Sequence, residues 1–516
     1  MNATLLDAGI VVVYFVVILL VGYYSSRRAK NSDGYLVAGQ RLGYGMTFAC
    51  LSAALLGGAS TIGTTTLGYN YGISGMWMVV MFGIGMILIG VFIYRRLRKF
   101  RVVTVGELLT RRFGPTAGVL SAFVSALYCI LVCATQVIAM GTILQALMGW
   151  DATFSMIFVT AIVIIYTLMG GMWSVSLTDF VQFFIITIGI IFIMLPFSVG
   201  AAGGLENIAA TVPAEYWDVT NIGWTTIVQF FFLYCLGIIV GQDIWQRFLT
   251  AKSVKVARRG GIASGIYIMI YGVICALIGM AAFVVLPNLD STSLAFATLA
   301  DTTVPTGFLG IVLTAVLAVL MSTASADLIA STTLLGNDII KYLRERKEDK
   351  SYEEKTLEEV KATDRRDMRR NRITMIFMGL FAMLVAVALQ DVLVALDVSY
   401  AVLSGALFFP IIFALFWKRA TPKAAIISII GSAIVVCIGL FTISLTAIEP
   451  IAWGLVTGAI LMIVVTLIDT RGGRQAKGFP KHSLEMFDYS EDEDGTEKIF
   501  EKLEKAEEVL GPEKTK

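Results

Sequence analysis

Ser322 and Thr323 stand side by side in "VLMSTASADLIASTT", an otherwise apolar stretch in which Ser325, Asp327, Ser331, Thr332 and Thr333 recur. Far upstream, "LLGGASTIGTTT", residues 55–66, places two adjacent glycines and five hydroxyl-bearing residues inside another apolar stretch. A lone serine or threonine in a membrane helix bonds its own i−4 carbonyl or a neighbouring helix, and glycine lets helices pack closely. Each feature taken singly is therefore structural. Together they suit another chemistry. A small hard cation such as Na⁺ needs several oxygen ligands; a helix unwound at glycines exposes carbonyls, and a facing helix adds hydroxyls. The two stretches in combination predict a cation site near the bilayer midplane. Ionisable residues at membrane depth are costly and usually functional, and three stand out: Asp179 in "WSVSLTDFVQ", Asp243 in "GQDIWQRF", and Asp327. Asp179 and Asp327 are also the candidate carriers if the coupling ion is a proton.

These groups need a membrane scaffold, and the composition supplies one. The 516 residues are 57% hydrophobic and 15% charged, with a mean hydropathy of +0.80. Soluble domains average about 25% charged residues, so the chain is a polytopic membrane protein. Thirteen apolar spans are expected, near 5–25, 43–69, 74–94, 115–148, 153–171, 175–199, 223–244, 260–286, 306–338, 373–390, 397–417, 422–445 and 450–468. The first lacks a basic n-region and a clear cleavage site, and Arg27, Arg28 and Lys30 follow it, so it reads as a retained helix.

The charges orient the spans. All 40 Lys and Arg residues fall between Arg27 and Arg41, Arg95 and Arg112, Arg247 and Arg259, Lys341 and Arg372, Lys418 and Lys423, or in the tail from Arg471. The alternate loops carry Glu206, Glu215, Asp218, Asp290, Asp301 and Glu449 and no basic residue. The positive-inside rule then places the N-terminus outside and the C-terminus inside. The expected organisation is a transmembrane domain, 1–470, with a charged cytoplasmic loop at 341–372, and a cytoplasmic tail, 471–516. In that tail "EKIFEKLEKAEEVLG" reads either as a short amphipathic helix or as a solvated tail.

Enzymatic chemistry finds little support. The six cysteines all fall in apolar spans without a CxxC, and the sole histidine, His482, lies in the polar tail. No nucleophile–base pair or metal cluster emerges, so the chain is expected not to be an enzyme.

Five motifs in order carry a family resemblance: "GGASTIG" at 57–63, "YTLMGGMWSVSLTDFVQ" at 166–182, "QRFLTAKS" at 246–253, "AVLMSTAS" at 318–325 and "FWKRATPKA" at 416–424. Over about residues 5–470 the chain resembles the sodium:solute symporters, which carry proline, sugars, sialic acid, pantothenate and monocarboxylates. The resemblance implies an all-α, leucine-transporter-like fold: two inverted five-helix repeats with broken helices, one helix before them and two after. It also implies Na⁺ as the coupling ion, held by backbone oxygens of Ala53, Leu56 and Val319 and the hydroxyls of Ser322 and Thr323. Some members add a second sodium site. Asp179 and Ser325 match it, but Ala326 stands where a second serine is expected.

The implied substrate site draws on Ser60, Thr61, Thr135, Gln136, Gln229, Tyr234 and Ser404. No Lys or Arg lies at a span centre, which argues against bulky acids, and Ala59 stands where sugar carriers have an acid. Cys235 and Ile239 replace the aromatics expected of proline carriers, so proline is not favoured. A small carboxylate or amino acid, bound by backbone N–H groups at a half-helix start, is the leading substrate class. A quaternary amine caged by Tyr69, Tyr71, Trp77 and Tyr234 is the alternative. Proton coupling, a channel and a transporter-like sensor are the competing functions. Expected partners are the solute and membrane lipid, with no nucleic acid, in the plasma membrane.

Overall fold

A computed structural model describes residues 4–28, 32–100, 102–289, 291–345, 357–389, 392–444 and 449–470. The tail from 471, the middle of the charged loop (346–356) and Asp290 lie outside the described residues. Among those described, eleven helical runs are long and apolar enough to cross a membrane, and no strand forms beyond one isolated bridge, Leu42 with Ala251. A bent pair, Trp224–Ile239 and Gln242–Leu249 with 45° between them, makes a twelfth if counted as one crossing. Only helices satisfy their own backbone groups in lipid, which is why apolar composition resolves into this architecture.

One run needs dissection. Ala59–Phe100 comprises 42 residues, about 63 Å at 1.5 Å per residue and about twice the hydrocarbon thickness. It turns at Gly72, where φ is +68°, a value that favours glycine. The Val254–Val285 helix packs on both limbs, with Gly279 against Thr65 and Tyr69 and Gly265 against Gly83. Bare backbone meets bare backbone there, the small-residue contact that stands in for hydrophobic drive within lipid.

Burial sorts the layers. The Phe308–Thr333 helix is buried at all but two positions and forms the centre of the bundle. Leu5–Ser26 and Glu449–Asp469, one third buried, lie at its edge. Asp7 ties edge to centre: Oδ1 accepts the N–H groups of Gly307 and Gly310 (2.8 Å each), and Oδ2 accepts Thr4 N–H and hydroxyl. Those glycine donors belong to the first turn of the central helix, where an anion is favoured. Arg112 holds the "FWKRATPKA" turn through the carbonyls of Trp417, Lys418 and Ala420, and burial pulls its guanidinium down to about 10.

Candidate ion and solute site

The Tyr44–Leu55 helix stops where the two glycines begin. Leu56 has φ −86° and ψ 80°, outside the helical region, and a wide helical turn resumes at Ala59–Gly63. Side chains hold the gap open. Gly57 N–H donates to Ser60 Oγ (2.7 Å), Gly58 N–H donates to Gln136 Oε1 (3.1 Å), and Ser60 Oγ donates to Leu55 O (2.8 Å). The glycines serve close approach here. A Cβ on Gly58 would lie 2.9 Å from the Leu320 side chain, and one on Gly57 would lie 3.3 Å from Thr323 Oγ1.

The central helix faces this break with its paired hydroxyls. Ser322 Oγ donates to Ala53 O (3.0 Å) and to Val319 O (2.8 Å); Thr323 Oγ1 donates to Ala54 O and Val319 O, both at 3.3 Å. The structure thus brings Ala53, Val319, Ser322 and Thr323 together and puts Leu56 at the point where the helix unwinds. Ala54, absent from the sequence expectation, contributes a carbonyl as well. Every atom in this group is a neutral hard oxygen, the donor set that suits Na⁺ rather than a soft metal.

Asp179 lies beside this cluster in an ion pair that the sequence reading missed. Arg247 Nε and one terminal nitrogen donate to Asp179 Oδ2 at 3.1 and 2.9 Å, and that nitrogen also donates to Ser322 O at 3.0 Å. Both side chains are fully buried. Charge counting places Arg247 with Lys252, Lys255, Arg258 and Arg259 in one cytoplasmic basic segment. The 45° break before Gln242 instead folds the Gln242–Leu249 helix back into the protein, and every residue of that helix is buried. A buried cation therefore reaches the ion cluster, contrary to the expectation of none at depth. Ser325 donates to Ser322 O (3.1 Å).

The expected solute residues divide into two groups. Ser60, Thr135 and Gln136 gather at the break, with Gln136 Nε2 donating to Thr135 Oγ1 (2.9 Å), and Thr61 Oγ1 lies 2.8 Å from Tyr271 OH. Gln229 is half-buried on the Trp224–Phe230 helix. Ser404 bonds back to Tyr400 O. Tyr234 donates to Asp397 (3.0 Å) and packs against Phe82, Phe230 and Tyr400. The amine cage does not assemble: Tyr69 bonds Leu286 O, Trp77 bonds Val219 O, and Tyr234 is turned into its own ring cluster. Tyr271, Asp397 and Arg247 were missed. Only Arg247, in "GQDIWQRF", carried a usable signal, as the first basic residue after an intramembrane acid.

A multi-pass helical bundle with a helix broken opposite paired hydroxyls, lined with hard oxygens, is the architecture of a membrane transporter. Residues 35–432 match the model of the sodium:solute symporter family, and the chain belongs to that family. Among similar proteins, the high-affinity proline transporter PutP of Bacillus subtilis (strain 168) is 26% identical over 438 residues, 81% of this chain and 89% of that protein. A sodium/proline symporter of Staphylococcus aureus (strain JH9) is 24% identical, covering 92% of this chain and 94% of its own length. A Na⁺-coupled sialic acid symporter, solved substrate-bound and outward-open, shares the fold with a TM-score of 0.76 at 23% identity, over 90% of this chain and 98% of that one. The protein is a multi-pass membrane symporter that couples Na⁺ to the movement of a small organic solute.

Proposed function

We propose that the chain imports a small carboxylate or amino acid together with one Na⁺ by alternating access across the plasma membrane. The observation that carries this reading is the meeting of Ser322 and Thr323 with the Ala53 and Val319 carbonyls at the helix break. With Na⁺ bound, the two hydroxyls turn their lone pairs to the ion beside the Ala53, Leu56 and Val319 oxygens. Ser325 spends its hydroxyl on Ser322 O and stays out of the ion's shell. Asp179, held by Arg247, marks the ion's exit toward the cytoplasm.

The solute carboxylate replaces Ser60 and Gln136 as partner of the Gly57 and Gly58 N–H groups. Proline heads the solutes to test, because it is named for the relatives in B. subtilis and S. aureus. In this reading the membrane is crossed thirteen times, with the N-terminus outside and two inverted five-helix repeats. The 42-residue run divides at Gly72 into two crossings, and Tyr44–Leu55 with the segment after the break forms one.

Replacing Ser322 or Thr323 by Ala removes one oxygen from the ion's shell. Apparent Na⁺ affinity in proteoliposome uptake then falls about tenfold, on the order of 1.4 kcal/mol. Wild-type sodium dependence in the double Ala variant would overturn the assignment. Sodium-dependent thermal shift of the purified protein against proline and other small acids identifies the solute.

A further inference from the structure

The interior around the ion site holds more acid than base. Asp327 is fully buried on the Phe308–Thr333 helix; no N–H or O–H group among the described residues bonds its carboxyl oxygens, and the weak-donor thiol of Cys129 is the hydrogen-bonding group beside it. Asp243 is also buried, with Oδ1 unpartnered. The groups facing Asp327 are Asp243 and Arg247 from Gln242–Leu249, Tyr128, Cys129 and Cys133 from Pro115–Met148, and Tyr400 from Val392–Phe416. Arg247 is the cation among them, and it is already engaged by Asp179 and Ser322 O. An ionised carboxylate buried with a thiol as its donor and no cation of its own is strongly disfavoured, whereas the neutral acid escapes most of that penalty.

We propose that Asp327 is a proton-binding site linked to Na⁺ binding, protonated while Arg247 holds Asp179 and ionised when Arg247 lets go. This rests on the sodium site described above. Asp327 lies one turn beyond Thr323 on the same helix face, at i, i+4. On release, the Asp327 O–H bond breaks, the proton passes to water at the cytoplasmic face, and Arg247 turns to the carboxylate left behind. Asp179, freed of Arg247, is then available to the departing Na⁺. Na⁺ and the proton favour the same closed arrangement, so each strengthens the other by the same factor.

The test uses full-length protein in nanodiscs, titrated with Na⁺ between about pH 6 and pH 8.5 and read by tryptophan fluorescence. Na⁺ affinity of the wild type falls about fivefold or more as pH rises, and adding Na⁺ in weak buffer draws protons from solution. Asp327→Asn flattens the pH dependence, and Asp327→Glu keeps it. Wild-type affinity that ignores pH, with no proton uptake, overturns the proposal without needing any variant to fold. So does a pH slope that survives in Asp327→Asn. Loss of one bound Na⁺ in Asp327→Asn would instead make the residue a sodium ligand and refute the proton site. A wild type that binds no Na⁺ at any pH would sink the sodium reading itself, and this one with it.

Discussion

Arg247→Gln is the substitution on which sequence and structure disagree most. A residue in a solvated basic loop would tolerate the change within about 0.5 kcal/mol. The structure demands much more. Arg247 makes three hydrogen bonds at 2.9–3.1 Å, two to Asp179 and one to Ser322 O, and both side chains are sealed from solvent. Removing one partner of a buried pair costs about 3–5 kcal/mol, because the other charge is stranded. Asp179 has no reserve, since its Oδ1 already lacks a partner among the described residues. The lost bond to Ser322 O adds about 1 kcal/mol, giving about 4–6 kcal/mol in all. Unfolding in mixed micelles with graded SDS measures this. Asp179→Asn combined with Arg247→Gln removes both charges and recovers about 2 kcal/mol or more as a coupling in the double-mutant cycle. A single variant as stable as the wild type, or a double variant no better than Arg247→Gln alone, refutes the buried pair.

Further expectations address packing and orientation. Gly68→Ala pushes a methyl into the backbone of Ala276 and destabilises by about 1–3 kcal/mol, while Gly9→Ala, with open space around it, is neutral or slightly stabilising; the same micelle assay separates them. A cysteine at Glu215 is labelled by an impermeant reagent in intact cells, and one at Lys255 only after permeabilisation. Labelling of position 255 from outside would reverse the proposed orientation.

The broken helix was legible because two glycines followed by serine and threonine contradict a continuous span, and the structure breaks there, at Leu56. The Ser322/Thr323 pair was legible by its spacing, and the family motifs tied it to the break. The partner contributed by Ala54 was not, since a backbone carbonyl carries no sequence signature. Arg247 was hidden for another reason. Charge counting assigns whole basic runs to one side of the membrane, but the fold pulls the first member of this run inward through contacts 68 and 75 residues away. Ser404 and Tyr234, named for the solute from the sequence, bond within their own helix and to Asp397 respectively, partners that the sequence did not signal. Gly72 could be recognised as a turn residue only once the 42-residue run around it proved too long for one crossing.

The carboxylate of Asp7 makes the first helix a lever. Its four hydrogen bonds fasten Thr4 at one end and the start of the central helix at the other. Tyr14 extends the attachment two turns deeper, donating to Met321, next in sequence to the paired hydroxyls of Ser322 and Thr323, and accepting from Gln182. A helix so fastened cannot slide on its neighbour without breaking these bonds, so the two would travel as one body in the proposed alternating-access cycle. Bending must then concentrate where the backbone has already left the helical ladder, at Leu56–Gly58 and at Val240–Gly241. An optical or spin label on the exposed side of Leu5–Ser26 would report any movement of the Phe308–Thr333 helix without touching a residue of the candidate site.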